Sequence, residues 1–245
     1  MQSGNHFEYQ EDDPSGLHTL EAIAMADHFN RWMYSETSNW MQGKILEIGS
    51  GIGNISDYYL RAKRDLTLSD IRPNYLQYLR KRFSGLAGDK ILQMDLVDPM
   101  FREKFGHLKG AFDSVFALNV IEHIEDHDLA LKNITYLLKP GGTFLMLVPA
   151  HSLLYNRLDR ELKHFRRYSA KGAQELFVRT GFKVQHSWFF NSIGIPAWIW
   201  GGLSGGKEIS GGQMSIYNKL VPLVKVADRL LAKRVGLSLI VSGVK

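Results

Sequence analysis

The stretch that most limits what this chain can fold into is "ILEIGSGIGN", Ile45 to Asn54. A short apolar run carrying one carboxylate, Glu47, breaks into a turn with glycine at 49, 51 and 53. The run suits a strand buried on both faces, and the glycines suit a turn that another group must approach closely. From Lys44 onward the same texture repeats. "KILEI", "LTLSD", "ILQMD", "FDSVFALNV", "TFLMLVP", "FKVQHSWFF" and "LSLIVSGVK" read as strands. Between the earlier ones lie helical patterns: "NISDYYLRAK", "PNYLQYLRKRFSG", "HDLALKNITYLLKPGG" and "SAKGAQELFVRTGF". Pro73 opens one of these helices, and Asp126 and Ser169 are the expected N-caps of two others. Pro-Gly-Gly at 140–142 and Gly181 are the expected stops. Strands alternating with helices imply right-handed crossovers, an α/β fold and a doubly wound sheet.

Before the first strand, "LHTLEAIAMADHFNRWMYSETSNWM" spaces its apolar residues helically, giving one or two amphipathic helices. The expected organisation is an N-terminal helical cap over 1–43, a core over 44–190 and 237–245, and an insertion over 191–236. The chain has no cysteine, which excludes disulfides, a thiol nucleophile and thiolate metal sites. Its start is polar and acidic and no run reaches the length of a membrane span, so a soluble cytoplasmic protein is expected. A net charge of +5 fits an anionic partner, a lipid surface or plain solubility equally well.

In an open α/β sheet, ligands sit beyond the carboxyl ends of the strands, where strand order reverses. A dinucleotide turn would space its glycines G-x-G-x-x-G, but the third position here is Asn54 or Ser56, depending on the frame. The loop also lacks the lysine and hydroxyl of a triphosphate-binding loop. Two further acids follow. Asp70 ends the second strand, where a carboxylate can accept from both hydroxyls of a ribose, and Asp95 closes "LQMD", placed to accept from an exocyclic amine.

With these residues in place the chain resembles the class I S-adenosylmethionine-dependent methyltransferases of the small-molecule type. The resemblance rests on "ILEIGSGIG", "LTLSD", "MDLVD", "FDSVFALNVIEHIED" and "LLKPGGTFLMLVP", in the right order from Lys44 to about Pro149. A weaker match, "HFRRYSAKGAQELFVRTGF", follows. The resemblance implies a Rossmann-like seven-stranded sheet, mostly parallel with its last strand antiparallel. It implies S-adenosyl-L-methionine as cofactor, S-adenosyl-L-homocysteine as product, and no metal. Gly49, Gly51 and Gly53 would receive the methionine portion, and Glu47 would fix the turn or the cofactor ammonium. Asp70 would hold the ribose and Ile71 cover one adenine face. Asp95 and the Leu96 N–H would meet the adenine edge, and the Asn119 backbone the ammonium. Tyr34, just before the first strand, is a further candidate contact at the methionine end.

Methyl transfer needs an aligned nucleophile and, where that nucleophile is protonated, a base. His151 and His164 are the candidate bases on the acceptor side; His123, within "EHIED", is a third candidate that the resemblance places beside the cofactor. Tyr155, Arg166, Arg167 and Tyr168 are the candidate acceptor contacts, suited to an anionic or glycosidic molecule. The insertion has three open readings: a lid over the acceptor, a membrane-surface contact through a basic amphipathic helix at 217–234, or a packing helix. In the last half its expected buried face is Leu220, Val221, Val224, Ala227, Leu230 and Leu231.

"NVIE" stands where nucleic-acid-base N-methyltransferases of this family carry an Asn/Asp-Pro-Pro-Tyr-type tetrapeptide. The basic residues form no dense stripe either, so a small-molecule acceptor is expected and nucleic acid is not. Oxygen is favoured over nitrogen or carbon. The competing classes are an NAD(P)-dependent oxidoreductase, disfavoured by the glycine spacing, and a non-catalytic nucleotide-binding module on the same fold.

Overall fold

The computed structural model describes residues 14–86, 88–203 and 211–245. Two helices, α1 (Pro14–Ala24) and α2 (Asp27–Thr37), precede β1 (Lys44–Ile48). Then follow α3 (Ser56–Arg61), β2 (Asp65–Asp70), α4 (Pro73–Arg82), β3 (Ile91–Gln93), α5 (Phe101–Lys104) and β4 (Phe112–Leu118). The second half runs α6 (His127–Leu137), β5 (Leu138–Pro149), α7 (Arg157–Glu161), α8 (Ala170–Arg179), β6 (Lys183–Phe190), α9 (Gly194–Leu203), α10 (Gly211–Leu230) and β7 (Ser238–Val244).

The strands form one sheet in the order β3-β2-β1-β4-β5-β7-β6. The pairs from β3 through β5 are parallel, whereas β7 runs antiparallel to both β5 and β6. The seven-stranded, mostly parallel sheet expected above is therefore the one that forms. Chain order runs outward from β1 to β3 and then jumps back to β4, so the reversal of direction lies between β1 and β4. That is where an open α/β sheet leaves its crevice.

Period-2 alternation splits the core between the two faces of the sheet. Val115 and Phe144 face one side, packed with Leu131 and Ile134 of α6 and Phe177 of α8. Their neighbours Phe116 and Leu145 face the other, packed with Trp32 of α2, Tyr59 of α3, Leu79 of α4 and Val224 of α10. The expected caps hold as well: Asp126 accepts the Leu129 N–H at 2.9 Å and Ser169 the Gly172 N–H at 3.0 Å.

The helix in the insertion turns a different face inward from the one its sequence suggests. Met214, Val221, Val224 and Asp228 are buried, while Leu220, Leu230 and Leu231 are exposed. The reason is its partner set, since α10 packs beneath the N-terminal helices as well as on the sheet. Phe29 donates its N–H to Asn218 Oδ1 at 3.2 Å, and its ring meets Tyr217 edge-on at 5.7 Å. Buried Asp228 accepts the N–H groups of Asn191 and Ser192 at 2.7 and 2.8 Å, anchoring the start of the insertion to its end. One face of this half of the insertion packs into the core and the other is exposed; the Ser-Gly-Gly stretch at 204–206 lies outside the described residues.

Candidate active site

The loop from Gly49 to Asn54 lies at the carboxyl end of β1, beside the strand-order reversal. Gly49 has φ +70°, and a Cβ there would run into the Val120 side chain just past β4. Glycine at this position thus serves backbone conformation and the packing of β1 against β4 together. Gly51 has φ +54°, and a Cβ would lie 3.0 Å from Leu20 Cδ1. Leu20 belongs to α1, and its carbonyl accepts from Asn54 Nδ2 at 2.9 Å, so the N-terminal cap sits directly on the glycine turn.

Two buried acids stand behind that turn. Glu47 is 4% exposed and its carboxylate accepts from the Ser56 hydroxyl at the start of α3. Burial pushes its pKa up to about 7, against the lowering effect of the Ser56 bond. Asp70, also 4% exposed, accepts the Gly51 N–H on Oδ2 and the Arg72 N–H on Oδ1, both at 2.9 Å. Burial raises its pKa too, and these backbone bonds work against the rise. A carboxylate has about four lone-pair sites, more than the Gly51, Arg72 and Ile71 N–H groups fill. Ser50 and Ser69 stitch β1 to β2 between the acids: Ser50 N–H donates to Ser69 O at 2.8 Å and Ser69 Oγ to Glu47 O at 2.7 Å.

The remaining expected cofactor contacts lie along the same edge. Asp95 follows β3 by two residues and accepts the Val97 N–H at 2.9 Å, while Leu96 is buried beside it. The Ile71 carbonyl accepts from Gln93 at 3.1 Å. Asn119, exposed at the end of β4, has φ +53°, a left-handed conformation that asparagine tolerates better than most residues. Gly53, by contrast, packs closely against Leu79 of α4 and Phe83 just past it. Tyr34 does not join the group. Its ring stacks on Tyr58 at 5.6 Å and meets Tyr59 edge-on at 4.9 Å, because α2 presents it to α3.

The acceptor-side residues form a second cluster with an internal logic. Asp159 is fully buried in α7, accepting from Arg167 Nε at 2.8 and 2.9 Å, from His164 Nδ1 at 2.8 Å and from the Asn156 N–H at 2.9 Å. Burial opposes its charge, yet the His164 and Arg167 bonds outweigh burial and hold its pKa below the ordinary aspartate value. Arg167 also donates to the Ala150 carbonyl at 3.0 Å and lies 4.5 Å from the Trp198 ring. Arg166 donates to the carbonyls of Ile124 and Glu125 at 2.9 and 2.8 Å.

These bonds correct the expectation for both arginines. Their donors fasten the 162–168 loop to the scaffold instead of reaching toward an acceptor. Tyr168 is likewise interior, its hydroxyl 2.9 Å from His127 Nδ1, whereas Tyr155 is partly exposed and donates to the His164 carbonyl at 2.7 Å. Of the three histidines, His123 and His164 come together, with ring centroids 4.7 Å apart. His151 stands apart, stacked on Phe189 at 5.0 Å with φ +61° and a buried Nε2 that meets no partner.

Two acids in this region were not singled out from sequence. Asp159 had a readable signal, the N-x-x-D spacing of a capping box with Asn156, which the structure forms. Glu122 had none beyond its place after β4.

Comparison with known proteins fits this geometry. Residues 46–144 match the family model described as a methyltransferase domain. The chain is 32% identical over 123 residues to the highly reducing polyketide synthase easB of Emericella nidulans, covering 46% of this chain and 5% of that protein. It is 24% identical over 193 residues to the mitochondrial ubiquinone biosynthesis O-methyltransferase of Schizosaccharomyces pombe, covering 72% of this chain and 65% of that one. It thus spans less than two thirds of either relative. A SAM-dependent methyltransferase from Archaeoglobus fulgidus superposes with a TM-score of 0.56 at 12% identity, covering 91% of this chain and 94% of that one, a likeness of fold. The glycine turn, the strand-end acids and these likenesses agree: residues 46–144 are similar to a methyltransferase domain, and the sheet has the fold of SAM-dependent methyltransferases of known structure.

Proposed function

We propose that this protein transfers a methyl group from S-adenosylmethionine to a small-molecule acceptor, with oxygen as the receiving atom. The observation that carries the reading is the pair of buried carboxylates, Glu47 and Asp70, at the ends of adjacent strands behind a turn of left-handed glycines. Such a pair suits a ligand with a diol and a positive charge. The bound cofactor supplies an activated methyl on a sulfonium. Asp70, pre-oriented by the Gly51 and Arg72 N–H groups, would hold the ribose hydroxyls, and Asp95 the adenine amine. Glu47 and the Asn119 backbone would meet the ammonium end. Leu20, over the turn, would keep water from it.

Oxygen is supported by the absence of a Pro-Pro-Tyr-type motif in "NVIE" and by the fission-yeast relative, an O-methyltransferase of ubiquinone biosynthesis. Calorimetry checks the cofactor half directly. S-adenosylhomocysteine should bind one per chain and raise the melting temperature, whereas NAD(H) should do neither. Binding of NAD(H) alone would replace this reading with the oxidoreductase one.

The acceptor is small or lipid-linked. Supporting the lipid-linked form, α10 leaves Ile216, Leu220, Leu223, Val226 and Leu230 exposed along one side, with Lys225 and Arg229 exposed beside that stripe. An apolar stripe flanked by cations can lie in a bilayer interface. Among the described residues no helix is long and apolar enough to cross a membrane. Co-sedimentation with vesicles containing anionic lipid should therefore be salt-sensitive and fall when Leu223 and Leu230 are both replaced by serine. Equal sedimentation of that double variant would remove the membrane contact.

A further inference from the structure

Glu122 lies on the single helical turn Ile121–His123 that follows β4, at the sheet edge that carries the active site. It is fully buried, and neither oxygen of its carboxylate meets a donor from another residue. A buried carboxylate so poorly supplied with donors is stabilised by a proton or a cation beside it. Arg167, whose charge Glu122 feels, is already committed to Asp159.

Two imidazoles close the arrangement. The Phe165 N–H donates to the Glu122 carbonyl at 2.9 Å, which brings the 162–168 loop against this turn and sets His164 beside His123. One ligand atom from each of Glu122, His123 and His164 lies within 4.8 Å of the other two, the one such grouping among the described residues. His164 is only 8% exposed at its side chain, and its Nδ1 is held by Asp159 Oδ1 at 2.8 Å. That bond fixes the ring and leaves Nε2 as the lone pair it can offer. A carboxylate behind a histidine is the usual orienting partner of a metal-ligating imidazole.

We propose that Glu122, His123 and His164 bind a divalent transition-metal ion, zinc by the two-imidazole, one-carboxylate character of the set, with Asp159 as the positioning residue behind His164. Three protein ligands leave a fourth coordination position for an oxygen donor. That position is the place for the acceptor oxygen, a role that rests on the methyl-transfer reading; the ion's binding does not. Against the metal-free site expected from sequence, His123 and His164 then act as ligands, and neither can serve as the general base.

The test uses the full chain without a histidine tag, stripped with chelator and titrated calorimetrically with ZnCl2 in the absence of cofactor. One ion should bind per chain. Glu122→Gln and His164→Ala should each weaken binding at least about 100-fold, because loss of a mere orienting partner already costs about 10–100-fold. His107→Ala, on an exposed helical turn elsewhere, should bind as the parent does. Absence of stoichiometric uptake, or parent-like affinity in both cluster variants, overturns the site. If either variant fails to fold, CoCl2 added to the unaltered chain decides: a visible band of four-coordinate intensity supports the site, and its absence overturns it. S-adenosylhomocysteine binding, measured separately on metal-free protein, keeps failure of the metal site distinct from failure of the methyltransferase reading.

Discussion

Replacing Arg167 with alanine should destabilise the fold by about 3–5 kcal/mol, among the largest losses available to a single substitution in this chain. The guanidinium and the Asp159 carboxylate are both essentially excluded from solvent, with side-chain exposures of 1% and 0%. Removing the cation strands a buried anion that also orients His164 and the Asn156 N–H. It further deprives the Ala150 carbonyl of its donor and the Trp198 ring of its covering cation. Lysine should recover only part of the loss, since one ammonium cannot match the two Nε contacts and the separate bond to Ala150. The sign with pH follows from the depressed Asp159 pKa. A carboxylate held below its unfolded value contributes stability at pH above that unfolded value, about 3.9, and loses it as pH falls through the folded one. Urea denaturation at pH 7 should therefore show the full gap between parent and Arg167→Ala, and the gap should narrow below about pH 4. A gap independent of pH would mean that the arginine acts through packing alone.

That ion pair also marks where sequence reading stopped. The sheet, its two faces and the acids ending β1 and β2 were legible because each rests on local pattern: apolar runs, glycines at a turn, a carboxylate at a strand end. Residues whose role depends on a distant partner were not legible. Arg166 and Arg167 read as an anion clamp because basic pairs in loops often face solvent. Their carbonyl and carboxylate acceptors come from residues 8 to 42 positions away. Tyr34 fails for the same reason, since only the placement of α3 against α2 turns it toward Tyr58 and Tyr59. On α10 two apolar arcs compete, and periodicity alone cannot say which one the sheet takes. The buried Asp228, bonded to Asn191 and Ser192, settles it. Gly49 adds a subtler case. Its glycine reads from sequence as access for a ligand, yet the nearest obstacle to a Cβ is Val120 of the protein itself.

Asp70→Ala should lower the affinity for S-adenosylhomocysteine by about 100-fold or more, the largest binding loss expected from any one cofactor residue. A carboxylate accepting from two hydroxyls makes two charge-assisted bonds, each worth about 1.5–3 kcal/mol, and desolvation at 4% exposure leaves no water to replace them. The lower end of that range, doubled, already exceeds two decades in affinity. The same substitution frees the Gly51 and Arg72 N–H groups that the carboxylate now receives at 2.9 Å, so the turn itself loosens. Two comparisons separate contact from scaffold. Asp70→Asn keeps an acceptor for one N–H and should hold the melting temperature closer to the parent while still losing most of the affinity. Asp95→Ala, which in the proposed role loses a single contact to an amine and does lose one local bond to Val97, should cost only about 10-fold. Calorimetry alongside thermal unfolding reads both quantities on each variant. If Asp70→Ala bound S-adenosylhomocysteine within threefold of the parent, the ribose would have to be held elsewhere. The two buried acids behind the glycine turn would then be structural alone.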